Sequence, residues 1–417
     1  MKIYLRNIAN NPYVVFVLAW SFSLILYAFR GAAILPELTL GLSTFILSFI
    51  ILFTLTAFFL KKVGFILKPS KPVNVNYKIL FLVNNILFLP NFLYSGIPIL
   101  SGLRDTTFGI GSEIVIAIAF NSFTCVCFYY MYLTTRKKKF IWYCVYCLAL
   151  FFIIVSRGFV MMTLITMFFL WMNVKNPVLT FKKIIIISVS ALFVLYIFGV
   201  AGNLRSVALV QAVRDYKAPG TAEQVPYSSD IIFELGQASD VFQKNVIPGE
   251  FFWSYIYLTS PLGNLQYNIN ISRPPFNVDS FYLAVVDETL FDFISKRINA
   301  LHKGYMHKMP VLLIDSLTVC TTFAGAYAVA GYGGMIYVLF FFWLFPIFYM
   351  SLVSKNPLSV IGVSTLCTIY FFSIFDNMFV ISGLSLQMFF PIILMALQNL
   401  RFKKADETTA QIQGAKS

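Results

Sequence analysis

Charged side chains are what this sequence is most short of. Only 12% of its 417 residues are Asp, Glu, Lys or Arg, about half the share in an average soluble domain. So few charges cannot cover an ordinary water-facing surface, which excludes a soluble globular protein. Histidine occurs twice, too rarely for a three-histidine metal centre. The six cysteines form no disulfide framework: Cys125, Cys127, Cys144, Cys147 and Cys367 fall inside apolar runs and Cys320 stands alone. The Cys144/Cys147 spacing matches half of a zinc site but has no second half, so these thiols read as small apolar fillers. A cleavable signal peptide is also missing, because the first apolar run lacks a small-residue cleavage pattern and reads as a first span.

Apolar and aromatic residues are there instead. Hydrophobic residues make up 59% of the chain, with 46 Phe and 23 Tyr, as lipid-facing and interfacial surfaces favour. A span needs about 20 apolar residues to cross a hydrocarbon core. Runs of that kind predict spans at Pro12–Phe29, Leu38–Leu60, Ile79–Tyr94 and Ile110–Leu133. Phe140–Trp171 is too long for one span. A single helix there would bury Arg157 at mid-membrane, which is costly, so two short helices turning at Ser156-Arg157-Gly158 are expected. Spans at Ile184–Ala201, Gly331–Leu352, Leu358–Phe375 and Met378–Leu400 complete ten, with both termini cytoplasmic.

The net charge of +14 follows this topology. Of the 31 Lys and Arg, 19 fall on the cytoplasmic side, including Lys61, Lys62, Lys68, Lys71, Lys78, Arg136-Lys137-Lys138-Lys139, Lys175, Lys182 and Lys183. That is the positive-inside bias, and it excludes a nucleic-acid surface. The tail after Lys404 is expected to be disordered.

One polar excursion interrupts the pattern. Residues 202–330 carry nine basic and eleven acidic residues, both histidines and seven of the seventeen prolines. The expectation is a large extracytoplasmic loop between spans seven and eight. Its last stretch, Val311–Ala330, is read as an interfacial or re-entrant helix because a span there would put the basic tail outside. Phe281–Leu301 reads as an amphipathic helix with Asp287, Glu288 and Asp292 on a solvated face, and Asp292/Lys296 as an i,i+4 pair.

The layout resembles the O-antigen polymerases of the Wzy type, membrane glycosyltransferases of GT-C-like architecture. The resemblance rests on Ser156-Arg157-Gly158 at a helix turn and on Gly202-Asn203-Leu204-Arg205 where a span opens into the large loop. It rests also on Tyr255-Ile256-Tyr257-Leu258 followed by Pro261 and Asn264, and on Thr321–Tyr327 leading to Gly331-Tyr332-Gly333-Gly334. It implies glycan transfer between undecaprenyl-pyrophosphate-linked repeat units at the outer face of a bacterial plasma membrane, with no cofactor and no metal. The substrate would be a lipid-linked oligosaccharide in contact with membrane lipid, and the partners a chain-length regulator and a flippase.

Such a reaction needs charge stabilisation of a departing pyrophosphate and a base for the acceptor hydroxyl. Guanidinium suits the first demand, since its forked donors pair phosphate oxygens. The resemblance carries that role onto Arg157 and Arg205, expected at helix ends on the outer interface. Arg273 is a loop candidate, and Arg104 beside Asp105 reads as a local pair. His302 and His307 are candidate bases because imidazole titrates near neutrality. Asp279 is a further loop carboxylate. Tyr255, Tyr257 and Asn264 are candidates for sugar contact, although the tyrosines could equally form an aromatic belt. An O-antigen ligase shares the topology, and a glycolipid flippase or transporter is the alternative from another class. A transporter would place acidic residues near the midplane of several spans, whereas Glu113, near the outer end of span four, is the only one inside a span here.

Overall fold

The structure is a computed structural model describing residues 3–63, 76–101, 108–217, 226–301, 309–314 and 317–397. The chain is mostly helical, as expected of an all-α membrane protein. Among the described residues, six helices are long and apolar enough to cross a membrane: Leu40–Lys62, Tyr77–Leu100, Gly111–Thr135, Arg157–Lys175, Phe181–Ala212 and Ala324–Val353. Four shorter apolar helices, Pro12–Ala28, Lys139–Ile153, Ser359–Phe372 and Ser382–Leu397, accompany them.

Local sequence accounts for where these helices start and stop. Helix α1 (Pro12–Ala28) is capped by Asn11, whose side chain accepts from the Tyr13 and Val14 amides, with Pro12 at the first helical position. Helix α2 (Leu40–Lys62) starts at a Thr39 cap, and α3 (Tyr77–Ser95) at an Asn76 cap. Helix α4 (Gly111–Thr135) is the most enclosed of the long helices, and its Asn121 bonds both Asn84 of α3 and the Cys147 carbonyl of α5 (Lys139–Ile153). The turn between α5 and α6 (Arg157–Lys175) falls at Ile154–Ser156, just before the expected position, so that Arg157 and Gly158 open α6. There Val155 takes φ +58°, and the Ser156 amide reaches back to Phe151 O at 2.9 Å. This is a Schellman-type ending with a β-branched residue where glycine is usual, a strain of about 1–2 kcal/mol.

Four expectations are corrected. Span seven does not end at Ala201: α7 runs unbroken over Phe181–Lys217, because Gly199 and Gly202 act as packing positions. A Cβ on Gly199 would lie 1.9 Å from Glu250 O, and one on Gly202 would lie 2.2 Å from the Trp253 ring. Arg205 therefore lies within a helix, not at its end.

The supposed loop segment around Tyr255 is a 22-residue helix, α8 (Glu250–Ile271). Most of it is buried against α7, α1 and α11 (Ala324–Val353).

The expected helix over 281–301 is two: α9 (Val278–Thr289) and α10 (Asp292–Leu301). They part at Leu290, so that the Asp292 amide bonds Val380 O instead of a carbonyl one turn back.

Among the described residues of 311–323, none is helical. The described part of this stretch is extended because Asn264 and Asn268 take its backbone bonds. Helix begins only at Ala324, and α11 breaks at Ala330 and Gly331, the latter at φ +59° and ψ −147°, a conformation open essentially to glycine alone.

The remaining helices are α12 (Ser359–Phe372) and α13 (Ser382–Leu397). An aromatic core of Tyr13, Phe16, Phe53, Phe342 and Tyr370 ties α1, α2, α11 and α12 together. At the end of the bundle away from residues 202–330, a two-residue strand pair, Ile3–Tyr4 with Val178–Leu179, closes the fold. Lys139 bonds the Tyr77 hydroxyl and Lys175 the Leu133 carbonyl at that same end. The tail bearing Arg401, Lys403 and Lys404 lies outside the described residues, as do Lys68 and Lys71.

Candidate functional site

The short turn Ser373–Ile381, between α12 and α13, gathers the loop onto the bundle. Ser373 takes the Trp20 indole N–H on its hydroxyl at 3.1 Å, and its carbonyl takes the Thr322 amide at 2.9 Å. Asn377 donates to both the carbonyl and the carboxylate of Glu288, each at 2.8 Å. Val380 O receives the Asp292 amide, and the Ser382 hydroxyl donates to the Asp292 carboxylate. Phe375 packs on Tyr257 with ring centroids 5.7 Å apart. Helices α8, α9 and α10 and the extended residues 317–323 are thus all anchored to nine residues.

This arrangement corrects the reading of the acidic pair. Asp287 and Glu288 are 8% and 6% exposed. They are interior groups, not a solvated face. The Glu288 carboxylate lies against the first turn of α11, where an alanine at Gly325 would put its Cβ 2.1 Å from Oε1. A negative charge at a helix N-terminus is electrostatically favourable. Asp292 does make the expected pair with Lys296, at 3.2 Å.

At the centre of the turn is Asp376. Its carboxylate accepts the Asn377 amide at 2.7 Å, and no Lys or Arg among the described residues pairs with it. Asp376 is exposed on the turn, and desolvation by the surrounding protein raises its carboxyl above the ordinary range. Burial, and then the neighbouring Asp376 charge, push the Cys320 thiol up to about 12. The preceding residue, Phe375, stacks on Tyr257, whose hydroxyl burial raises against the opposing pull of Arg205. Arg205 is exposed on α7.

The other expected residues fall elsewhere. Arg157 is exposed at the first position of α6, and among the described contacts none joins it to Arg205. Tyr255 is a packing residue: its ring lies among Phe29, Phe242 and Phe252, and its hydroxyl accepts the Gly31 amide at 2.8 Å. Asn264 is fully buried and holds Leu313 N, Val319 O and Leu317 O, so both of its amide N–H groups point at backbone carbonyls and not at a sugar. Asp279 is exposed in the first turn of α9, beside the capping box of Asn277 and Ser280, where it complements the helix dipole. Arg273 is exposed and lines a cavity of about 660 Å³ with Tyr327, Tyr332 and Thr39. His302, His307, the Arg104-Asp105 pair and Asp315 lie outside the described residues.

Sequence reasoning missed Asp376, Asn377 and Glu288 as site residues. Asp376-Asn377 between two apolar runs looks like any polar turn, and the one available signal was an acidic residue next to a span end without a basic neighbour. No family model, curated protein or solved structure matches the chain.

Proposed function

We propose that this chain is a polytopic membrane glycosyltransferase. It polymerises undecaprenyl-pyrophosphate-linked oligosaccharide units at the outer face of a bacterial plasma membrane, to make O-antigen or capsule. The six long and four shorter apolar helices would form ten spans, with both termini cytoplasmic and residues 202–330 outside. The basic groups around Lys139 and Lys175, at the end opposite the loop, support that orientation.

The observation that carries the reading is Asp376, exposed on the turn with a raised carboxyl and no ion-pair partner among the described residues, next in the chain to the Phe375 ring that stacks on Tyr257, whose hydroxyl in turn feels Arg205. In the transfer, the acceptor hydroxyl oxygen bonds to the anomeric carbon of the donor glycan. The bond from that carbon to the pyrophosphate oxygen breaks, and the hydroxyl proton passes to Asp376. A carboxyl with raised proton affinity is a better general base near neutrality than an ordinary one. Arg205 offers a fixed positive charge to the pyrophosphate as it leaves, the kind of preorganised charge that supplies much of catalysis.

Purified protein incubated with a synthetic lipid-pyrophosphate repeat unit should yield a ladder of products. Asp376→Asn should slow ladder formation about 10²-fold or more, and Arg205→Ala about 10²-fold. Lipid movement in vesicles without any glycan transfer by wild-type protein would sink the reading.

A further inference from the structure

The cavity beside Arg273 is separate in its lining from the Asp376 region. Its walls are Thr39 and Gly41 at the start of α2, Ile269 to Pro274 at the end of α8, and Tyr327, Gly331 and Tyr332 at the break in α11. Three features set its chemistry. Arg273 brings a guanidinium that makes no ion pair with any described acidic residue, and it lies close enough to Tyr327 to act on that phenol. Hydroxyls come from Thr39, Tyr327 and Tyr332; the Tyr327 hydroxyl is already spent on Ser272 O at 2.9 Å. The break at Gly331 keeps the mouth open: its positive φ turns the chain away, and Pro274 O lies 3.1 Å from where a side chain would begin.

What lies beneath the cavity is as informative as its walls. Exposed apolar side chains descend both helices that frame it, at four-residue spacing on each. On α2 they are Leu47, Ile51 and Leu55, and on α11 Ile336, Phe340 and Leu344. Residues four apart share a helix face, so each helix offers a continuous greasy stripe leading away from a cationic, hydroxyl-rich chamber. Leu40, 84% exposed, stands at the junction. A polar chamber on top of two apolar stripes matches an amphiphile with an anionic head and a long hydrocarbon tail.

We infer that this cavity is the docking site for the phosphate head of a lipid, with its hydrocarbon chain laid along α2 and α11. A phosphate gains charge-assisted bonds from the Arg273 fork and a further donor from Tyr332, the Thr39 hydroxyl being committed to Gln266 Oε1 at 3.2 Å. The 660 Å³ volume exceeds the need of one phosphate and leaves space for a pyrophosphate and the first sugar attached to it. The inference does not depend on glycan transfer, since a lipid phosphate would dock here whatever the chain then does with it.

The test uses the full-length protein in nanodiscs and a photoactivatable polyisoprenyl pyrophosphate as probe. Crosslinks should map to residues 39–41, 269–274 and 327–332. Unlabelled polyisoprenyl pyrophosphate should compete, while the matching polyisoprenol, which lacks phosphate, should not. Free inorganic pyrophosphate should compete at least tenfold more weakly, because it lacks the tail. Arg273→Ala and Arg273→Gln should each cut labelling about tenfold, the size expected for one charge-assisted contact, whereas Lys244→Ala, at the exposed Asp240 pair, should leave it unchanged. Arg273 is exposed, and a folding check by size-exclusion elution accompanies both variants. Equal competition by the alcohol, equal competition by free pyrophosphate, or full labelling of correctly eluting Arg273 variants would each overturn the assignment. Loss of the product ladder with this labelling intact would strike the transfer reading alone.

Discussion

Replacing Asn264 by alanine separates a structural amide from a sugar-binding one. Asn264 is fully buried, and its side chain accepts from Leu313 N at 2.8 Å and donates to Val319 O at 2.8 Å. A third contact, to Leu317 O at 3.4 Å, is long and adds little. Two well-formed bonds to backbone contribute about 1–1.5 kcal/mol each, so the substitution should cost about 2–3 kcal/mol. If the segment opens locally, that cost raises the opening equilibrium of residues 311–319 about 30- to 150-fold. Hydrogen exchange followed by mass spectrometry on protein in nanodiscs reads this directly. Exchange across 311–319 should accelerate by that factor, while α1, α2 and α12 stay protected. Asn268→Ala provides an internal comparison: it grips Val311 alone, through N and O at 2.9 and 2.8 Å, and should loosen only the start of the segment. Unchanged exchange in Asn264→Ala, together with a lost product ladder, would refute the structural role and return Asn264 to the substrate.

Three further outcomes follow from geometry already described. Tyr255→Phe leaves the Gly31 amide without its acceptor and should cost about 1 kcal/mol, seen as a lower melting temperature with transfer preserved. Gly202→Ala drives a methyl to 2.2 Å from the Trp253 ring and should destabilise by about 1–3 kcal/mol; a wild-type melting temperature would mean α7 and α8 do not pack this way. For Asp376→Asn the sign runs with pH. Burial raises the Asp376 carboxyl, so its contribution to stability is fully present below the ordinary carboxylate range and is lost as pH rises through the raised value. The asparagine variant should therefore melt higher than wild type at pH 7 and converge with it on acidification; a gap independent of pH would contradict a raised Asp376 carboxyl.

The helical starts and stops were the most legible part of the chain. Asn11, Thr39 and Asn76 stand directly before apolar runs and cap the helices that follow, and the cost of burying Arg157 led to the break that Val155 and Ser156 make. The polar excursion was less legible because hydrophobicity does not say what covers it. Residues 311–314 and 317–323 are held by α8 through Asn264 and Asn268 instead of forming a helix. The long α8 was hidden because Gln266, Asn264 and Asn268 dilute its hydropathy, although those amides are buried and fully used. Glu288 looked solvated because nothing in its own stretch foretells Asn377, 89 positions away. Gly202 drew notice as a motif, but whether a glycine ends a helix or lets another helix approach depends on a partner that local sequence does not contain.

Helix α7 gives the candidate site a mechanical dependence on its surroundings. Its 37 residues make a rod about 55 Å long, well beyond the 30 Å or so of a hydrocarbon core. Along its apolar part only 6% of the residues are buried inside the protein, so in a bilayer its flanks would bear mostly on lipid. Its extensive protein contact is with α8, and Arg205 rides on that upper portion. A rod pivoting by 5° about its far end moves Arg205, about 36 Å along it, by about 3 Å. Bilayer thickness, acyl-chain order or a detergent collar would thus shift Arg205 relative to the turn that carries Asp376, so activity measured in different amphiphiles reports on that lever arm as much as on the chemistry.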